Sequence, residues 1–343
     1  MIHASRAMEE GIRLVSQHCE ETRIPMEAAL DPNRTCLIGP QMGPLFTSLG
    51  QLEAKRTTLS PDVAGLMVHL LQAAGVSAGD TVAVGASGSF PGMWLATLSA
   101  IRALSAHPVT ILSLGASSYG ASRIELHLLE LHQLLAGEGV LSSPPAAVSL
   151  GGGQDVGLGL EPEVRQALRL QVAEAEIPFL EEPDLPTNVA RRMGMYGNPD
   201  AFVNIGGAHA NLGSSPLVLE VPPGLNTSVE LPAPQDRGVL FEMAAGGIPV
   251  IHLLHIRGLA LRHGLAWDPV PLPAPGTTHL RSGDPSRGWR VWALTGGYVT
   301  VLLLLAISQI RARRVLQKWG AAAHRGLASA RQGRTTKAMP KHR

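Results

Sequence analysis

Two matching tripeptides carry the first chemical signal in this chain. Residues 82–92, "VAVGASGSFPG", and residues 112–121, "LSLGASSYGA", each break an apolar run with Gly-Ala-Ser. Ser87 and Ser117 therefore stand at comparable depths, where hydroxyls and free backbone N–H groups suit an anion. The string "GASGS" approaches the nucleophile elbow G-x-S-x-G, but Ser89 stands where close strand–helix packing needs the last glycine. As an acyl-transfer nucleophile, Ser87 or Ser89 would need a base. His209 in "NIGGAHANLG" is the best placed histidine, with Asp155 in "GGGQDVGLG" as its orienter, and Lys55 is the other candidate.

Glycine-rich ends recur at Gly85 to Gly88, Gly115 to Gly120, Gly151 to Gly153 and Gly206 to Gly207. They suggest a shared ligand rim with Gly85, Gly88, Ser117, Tyr119, Asp155 and Asn204 as contacts; the alternative is that these glycines serve only tight turning into helices. In "LEAKRTT", Lys55 and Arg56 offer donors for a carboxylate or phosphate, or else a solvated helix entry. His252 and His255 fit one helix face, yet no acidic or cysteine ligands complete a metal site. GxxxxGK[ST] is absent, and no GxGxxG opens a helix with an acid about twenty residues on. The expectation is no cofactor, no metal and no nucleic acid partner.

These residues need a scaffold, and the 343-residue chain, 45% hydrophobic and 4% aromatic, has the composition of an aliphatic α/β protein. An amphipathic helix with Met8, Ile12, Val15 and Cys19 on one face comes first. Ser60-Pro61-Asp62 starts a helix ending near Gly75. Strand "DTVAVGAS", helix 91–106, strand "PVTILSLGASS", helix 123–139, strand "AAVSLGGGQDVGLG", helices 161–176 and 185–195, and strand "AFVNIGGAHANLG" follow. Such alternation predicts right-handed βαβ units in an open, mostly parallel sheet with helices on both faces, a Rossmann-like three-layer α/β fold. A Pro-rich loop with an edge strand and helices over 236–245 and 250–264 complete the body. The expected divisions are 1–27, an amphipathic helix; 28–267, the α/β domain; 268–290, a Pro/Gly-rich linker; 291–310, a transmembrane helix; and 311–343, a basic tail.

The twenty uncharged residues from Val291 to Ile310 match a hydrocarbon core of about 30 Å. Arg311, Arg313, Arg314 and Lys318 follow at once, so the tail is expected in the cytoplasm and the body outside it. Residues 311–343 hold ten of the 28 basic residues and no acid, leaving 18 basic against 27 acidic residues in 1–310. The N-terminal segment has no signal-peptide core, so either the body crosses unaided or the start lies upstream of Met1. Cys19 and Cys36, too few for a disulfide framework, are expected as buried free thiols, with one bridge in an oxidising compartment as the alternative.

Taken in order, "DPNRTCLIGP", "TSLGQLEAKRTTLSPDVAGLMVHLL", "VAVGASGSFPG", "LSLGASSYGA", "SLGGGQDVGLGL", "NIGGAHANLG" and "GIPVIHLLHIRGLALRHGL" resemble the poly-gamma-glutamate system protein family over roughly residues 28–270. The resemblance implies a membrane-anchored accessory component of poly-gamma-glutamate synthesis or export at the bacterial cell surface, as in capsule formation. Its implied partners are the polymer or the synthase and export subunits. Relatives look to carry an N-terminal anchor too, whereas this chain begins within its first amphipathic helix, which favours an upstream start. The alternative function is a gamma-glutamyl amide hydrolase or transferase with a rim serine as nucleophile. The cationic patch for a polyglutamate would come from Lys55, Arg56, Arg123, Arg191 and Arg192.

Overall fold

A computed structural model describes residues 1–280, 296–305 and 307–309, and the chain divides into two compact units, 1–282 and 283–343. The first unit holds an open six-stranded sheet in the order β5-β3-β2-β6-β8-β7. These strands are β2 (Thr81–Ser87), β3 (His107–Ser113), β5 (Ala147–Ser149), β6 (Ala201–Ile205), β7 (Gly224–Asn226) and β8 (Val250–Leu253). All neighbours are parallel except β7, which pairs antiparallel with β8 at the edge. A separate two-stranded parallel ladder joins β1 (Phe46–Ser48) to β4 (Ala116–Ser117).

Strand alternation explains the burial of both sheet faces. Val82, Val84 and Ala86 of β2 enter the larger apolar cluster, with α1 (Ile2–Thr22), α3 (Asp62–Ala73), α4 (Pro91–Ala103) and α5 (Leu128–Gly137). Ala83 points the other way, into a cluster with Ile111, Phe202 and Val250 and with side chains of α7 (Leu185–Tyr196) and α9 (Val239–Ala245). From β2 the chain runs outward through β3 to β5, then returns to place β6 on the other side of β2. The strand order thus reverses between β2 and β6, and the crevice beyond their carboxyl ends is where such sheets bind ligands.

Several expectations shift. The segment 250–264 is not one helix: Val250–Leu253 is a strand and only Ile256–His263, α10, is helical. A short apolar run with β-branched Val250 and Ile251 has no decisive period, and pairing with β6 and β7 decides it. Likewise α5 starts at Leu128 rather than at 123, because the His127 imidazole accepts the Glu130 N–H and caps it. "LSLGASS" is split, its Ala116 and Ser117 leaving the main sheet for β1. Over residues 268–280 the expected linker is tied down: Asp62 accepts the Gly276 and Thr278 N–H groups, and Arg56 pairs with Asp268 at 2.5 Å.

Cys19 and Cys36 are not free thiols but a disulfide. Cys19 lies on the buried face of α1, and the left-handed turn at Cys36 (φ 59°) brings the two Cα atoms to 6.6 Å. Part of the expected membrane helix, residues 291–295, 306 and 310, and the tail 311–343 lie outside the described residues. Residues 296–305 and 307–309 are helical, and among the described residues no helix is long and apolar enough to cross a membrane.

Because the bridge closes a short loop in the unfolded chain, the double variant C19S/C36S is expected to lose about 3 kcal/mol of stability in urea unfolding. An unchanged midpoint would show that the bridge constrains nothing the fold needs.

Candidate functional site

The carboxyl ends of β2, β3, β5, β6 and β8 open into a crevice of about 610 Å³, within the usual range of about 300–1,000 Å³ for small-ligand sites. Each contributes a short stretch: Ser87, Ser89 and Phe90 after β2; Ser113, Gly115 and Ser117 after β3; Gly151 to Gly153 after β5; Gly207 and Ala208 after β6; Leu254 to Arg257 after β8. The facing wall is Thr47 to Gln51 with Ala54 and Lys55 of α2 (Leu52–Thr57). Gly206 is indispensable to this packing, since its φ is +79° and a Cβ there would come within 2.2 Å of Ser87 Oγ.

Lys55 is the buried amine of the facing wall, 2% exposed. Its Nζ donates to the Ser89 carbonyl and, at 2.7 Å, to Ser117 Oγ. The Phe90 ring lies 3.8 Å from Nζ and would favour an ammonium. Burial opposes the charge more strongly and brings the Lys55 pKa down to about 7. Ser89 Oγ accepts the Ser117 N–H at 3.0 Å, so one residue fixes both members of the Lys55–Ser117 pair. Ser87 Oγ instead donates to the Ile205 carbonyl at 3.4 Å.

Beneath the crevice a fully buried ion pair joins Arg192 of α7 to Asp155 at 2.5 Å. Ser113 and Ser149 hydroxyls donate to Asp155 Oδ1, and Asn188 Nδ2 to Oδ2. Arg192 also donates to Asn188, Asn211, Ser113 and Ser149. Asn211 in turn lies against Gly85, where a Cβ would meet its amide at 2.4 Å.

Electrostatically the crevice is one-sided. Among the described residues that line it none is acidic, while Lys55 and Arg257 are basic and His255 and Arg257 stand exposed at the rim. Among the described residues the backbone N–H groups of Gly152, Gly207 and Ala208, all lining residues, meet no acceptor. The amino ends of α4 and α10 reach the same opening and favour negative charge.

The structure thus brings Lys55, Ser87, Ser89 and Ser117 together. His209 opens the short helix α8 (His209–Leu212) and hydrogen-bonds neither Ser87 nor Ser89 among the described residues. Asp155 orients no histidine but neutralises Arg192. Arg56 is committed to Asp268, Arg191 to Glu182, and Arg123 to the carbonyls of Ile38 and Pro25. Gly85 and Gly88 lie behind the lining, with the Gly88 N–H bonded to the Ser113 and Gly115 carbonyls. Tyr119 belongs to a neighbouring shallow pocket with Leu49 to Glu53. Asn204 is buried, donating to the Gly206 carbonyl and to His252 Nδ1.

His252 and His255 do not share a helix face, for His252 is on β8 and His255 precedes α10. Burial lowers the His252 pKa to about 4, and among the described residues no group of three metal-ligating side chains is found. Arg257 and His255 were missed as crevice residues, because reading 250–264 as one helix hid the strand end that delivers them. Comparison of the chain with protein families, with characterised proteins and with solved structures finds no match.

Two outcomes follow from these pairs. Asp155→Asn leaves Arg192 uncompensated and is expected to cost about 3–5 kcal/mol in chemical denaturation, part of it recovered by adding Arg192→Met. For Lys55, the folded state releases above about pH 7 a proton that the unfolded chain holds to about pH 10.4. Wild-type stability relative to Lys55→Met should therefore climb with pH in that window, at up to roughly 1.4 kcal/mol per unit. A flat difference would mean that Lys55 is charged in the fold.

Proposed function

We propose that this chain is a membrane-anchored component of a poly-gamma-glutamate system and that its crevice binds the carboxylates of the gamma-glutamyl chain. The observation that carries this reading is the charge of the site. Residues 1–310 hold 27 acidic and 18 basic residues, yet among the described residues none of those lining the crevice is acidic. A poly-anion is repelled by most of such a surface and attracted to one opening, where Arg257, His255 and free N–H groups meet it. The choice of a glutamyl polymer over another anion rests on the ordered sequence blocks that resemble that family.

In this reading residues 291–310 form the anchor, the body faces outward and the tail with Arg311, Arg313 and Arg314 stays in the cytoplasm. The Cys19–Cys36 disulfide supports an oxidising location for the body. The finer architecture, a Rossmann-like three-layer domain on a single C-terminal helix, belongs to the same proposal.

Full-length protein in detergent should be retained on immobilised poly-gamma-glutamate, with retention falling as salt rises. Arg257→Ala should weaken it about fivefold, the scale of one exposed charge-assisted contact. Absent retention at low salt, or retention indifferent to both salt and Arg257, contradicts the proposal.

A further inference from the structure

We infer that Ser117 and Lys55 form a serine–lysine acyl-transfer centre in this crevice, acting on an amide bond of the bound chain. The substrate rests on the preceding reading; the pair itself rests on geometry. Ser117 Oγ and Lys55 Nζ are 2.7 Å apart, the distance of a nucleophile and its base. Both line the crevice, where Ser117 is 8% and Lys55 2% exposed.

The surroundings hold the pair in that relation. The Ser89 carbonyl takes one Nζ donor position, its hydroxyl fixes the Ser117 amide, and Phe90 closes an apolar wall over the amine. Among the described residues no carboxylate pairs with Lys55, and burial outweighs the Phe90 ring and the Ser89 carbonyl in favouring the neutral amine. Ser87, the residue of the elbow-like motif, is bonded to the Ile205 carbonyl, and the second Gly-Ala-Ser, not the first, carries the paired hydroxyl.

The chemistry balances without a cofactor. Ser117 Oγ bonds to the amide carbonyl carbon as its proton passes to the neutral Lys55 Nζ. The C–N bond breaks as Lys55 returns that proton to the departing amine, leaving an ester on Ser117. Water then adds to the ester carbonyl and gives a proton to Lys55, and the ester C–O bond breaks as Lys55 reprotonates Ser117. One amide and one water yield one amine and one carboxylic acid; a second amine in place of water gives transfer.

The test uses full-length protein, an alkyl fluorophosphonate, and poly-gamma-glutamate followed by chain length. One adduct is expected, at Ser117, and Lys55→Arg should slow its formation on the order of 10²–10⁴-fold, the usual contribution of a general base. Lys55→Met should do the same, and thermal melts of both variants separate lost chemistry from lost folding. Ser117→Ala should still retain the polymer but no longer shorten it. An adduct at another serine, unchanged labelling in both folded Lys55 variants, or shortening that persists in Ser117→Ala overturns the centre. Retention without labelling sinks the centre and spares the binding role. Lys55-dependent labelling of Ser117 with neither retention nor shortening sinks the glutamyl substrate instead.

Discussion

The buried pair between Asp155 and Arg192 is the constraint on which the crevice depends. Two charges with no exposed side-chain surface are costly to take out of water, and their attraction offsets that only if their remaining donors and acceptors are filled. Here Ser113, Ser149, Asn188 and Asn211 fill them, and those residues come from β3, β5, α7 and α8. The ion pair therefore locks the loops beyond several strand ends to one another. Loops that are locked hold the lining residues in place before any ligand arrives, and groups fixed in advance need no reorganisation when charge appears.

Charge is segregated around that floor. Arg56, Arg169, Arg191 and Arg192 each have a carboxylate partner elsewhere in the body, so they are not free for the crevice. Lys55 has none, and its burial makes it an amine that loses its proton near neutrality rather than a fixed cation. In the proposed reading the exposed rim, with His255 and Arg257, draws in an anion, while the inner wall holds the Lys55 amine beside the Ser117 hydroxyl. That reading divides attraction and chemistry between two depths of one site.

Much of this was legible in the sequence. Strand alternation with helices predicted the mostly parallel sheet; each glycine-rich strand end sends a residue to the crevice, but of the expected contacts Gly85, Gly88, Ser117, Tyr119, Asp155 and Asn204 only Ser117 lines it. Residue pairing was less legible. Ser117 rather than Ser87 faces Lys55 because "LSLGASS" breaks and Ala116–Ser117 crosses to β1, a contact between positions about seventy residues apart. Asp155 read as a partner for histidine, but Arg192 reaches it from α7, and only the tertiary fold shows which charge arrives. Cys19 and Cys36 read as separate buried thiols because the left-handed turn at Cys36 leaves no mark in residue type. The pattern of 250–264 failed for a different reason: its period was ambiguous, and neighbouring strands chose.

The central claim is that the crevice between β2 and β6 is an anion site that holds a gamma-glutamyl chain against Ser117 and Lys55. A crystal structure of the protein with a short gamma-linked glutamate oligomer tests this most directly. The expected result is density between Arg257, the Gly207 and Ala208 amides and the Ser117 hydroxyl, with a carbonyl carbon near Ser117 Oγ. An empty crevice with the oligomer bound elsewhere on the body would contradict the account.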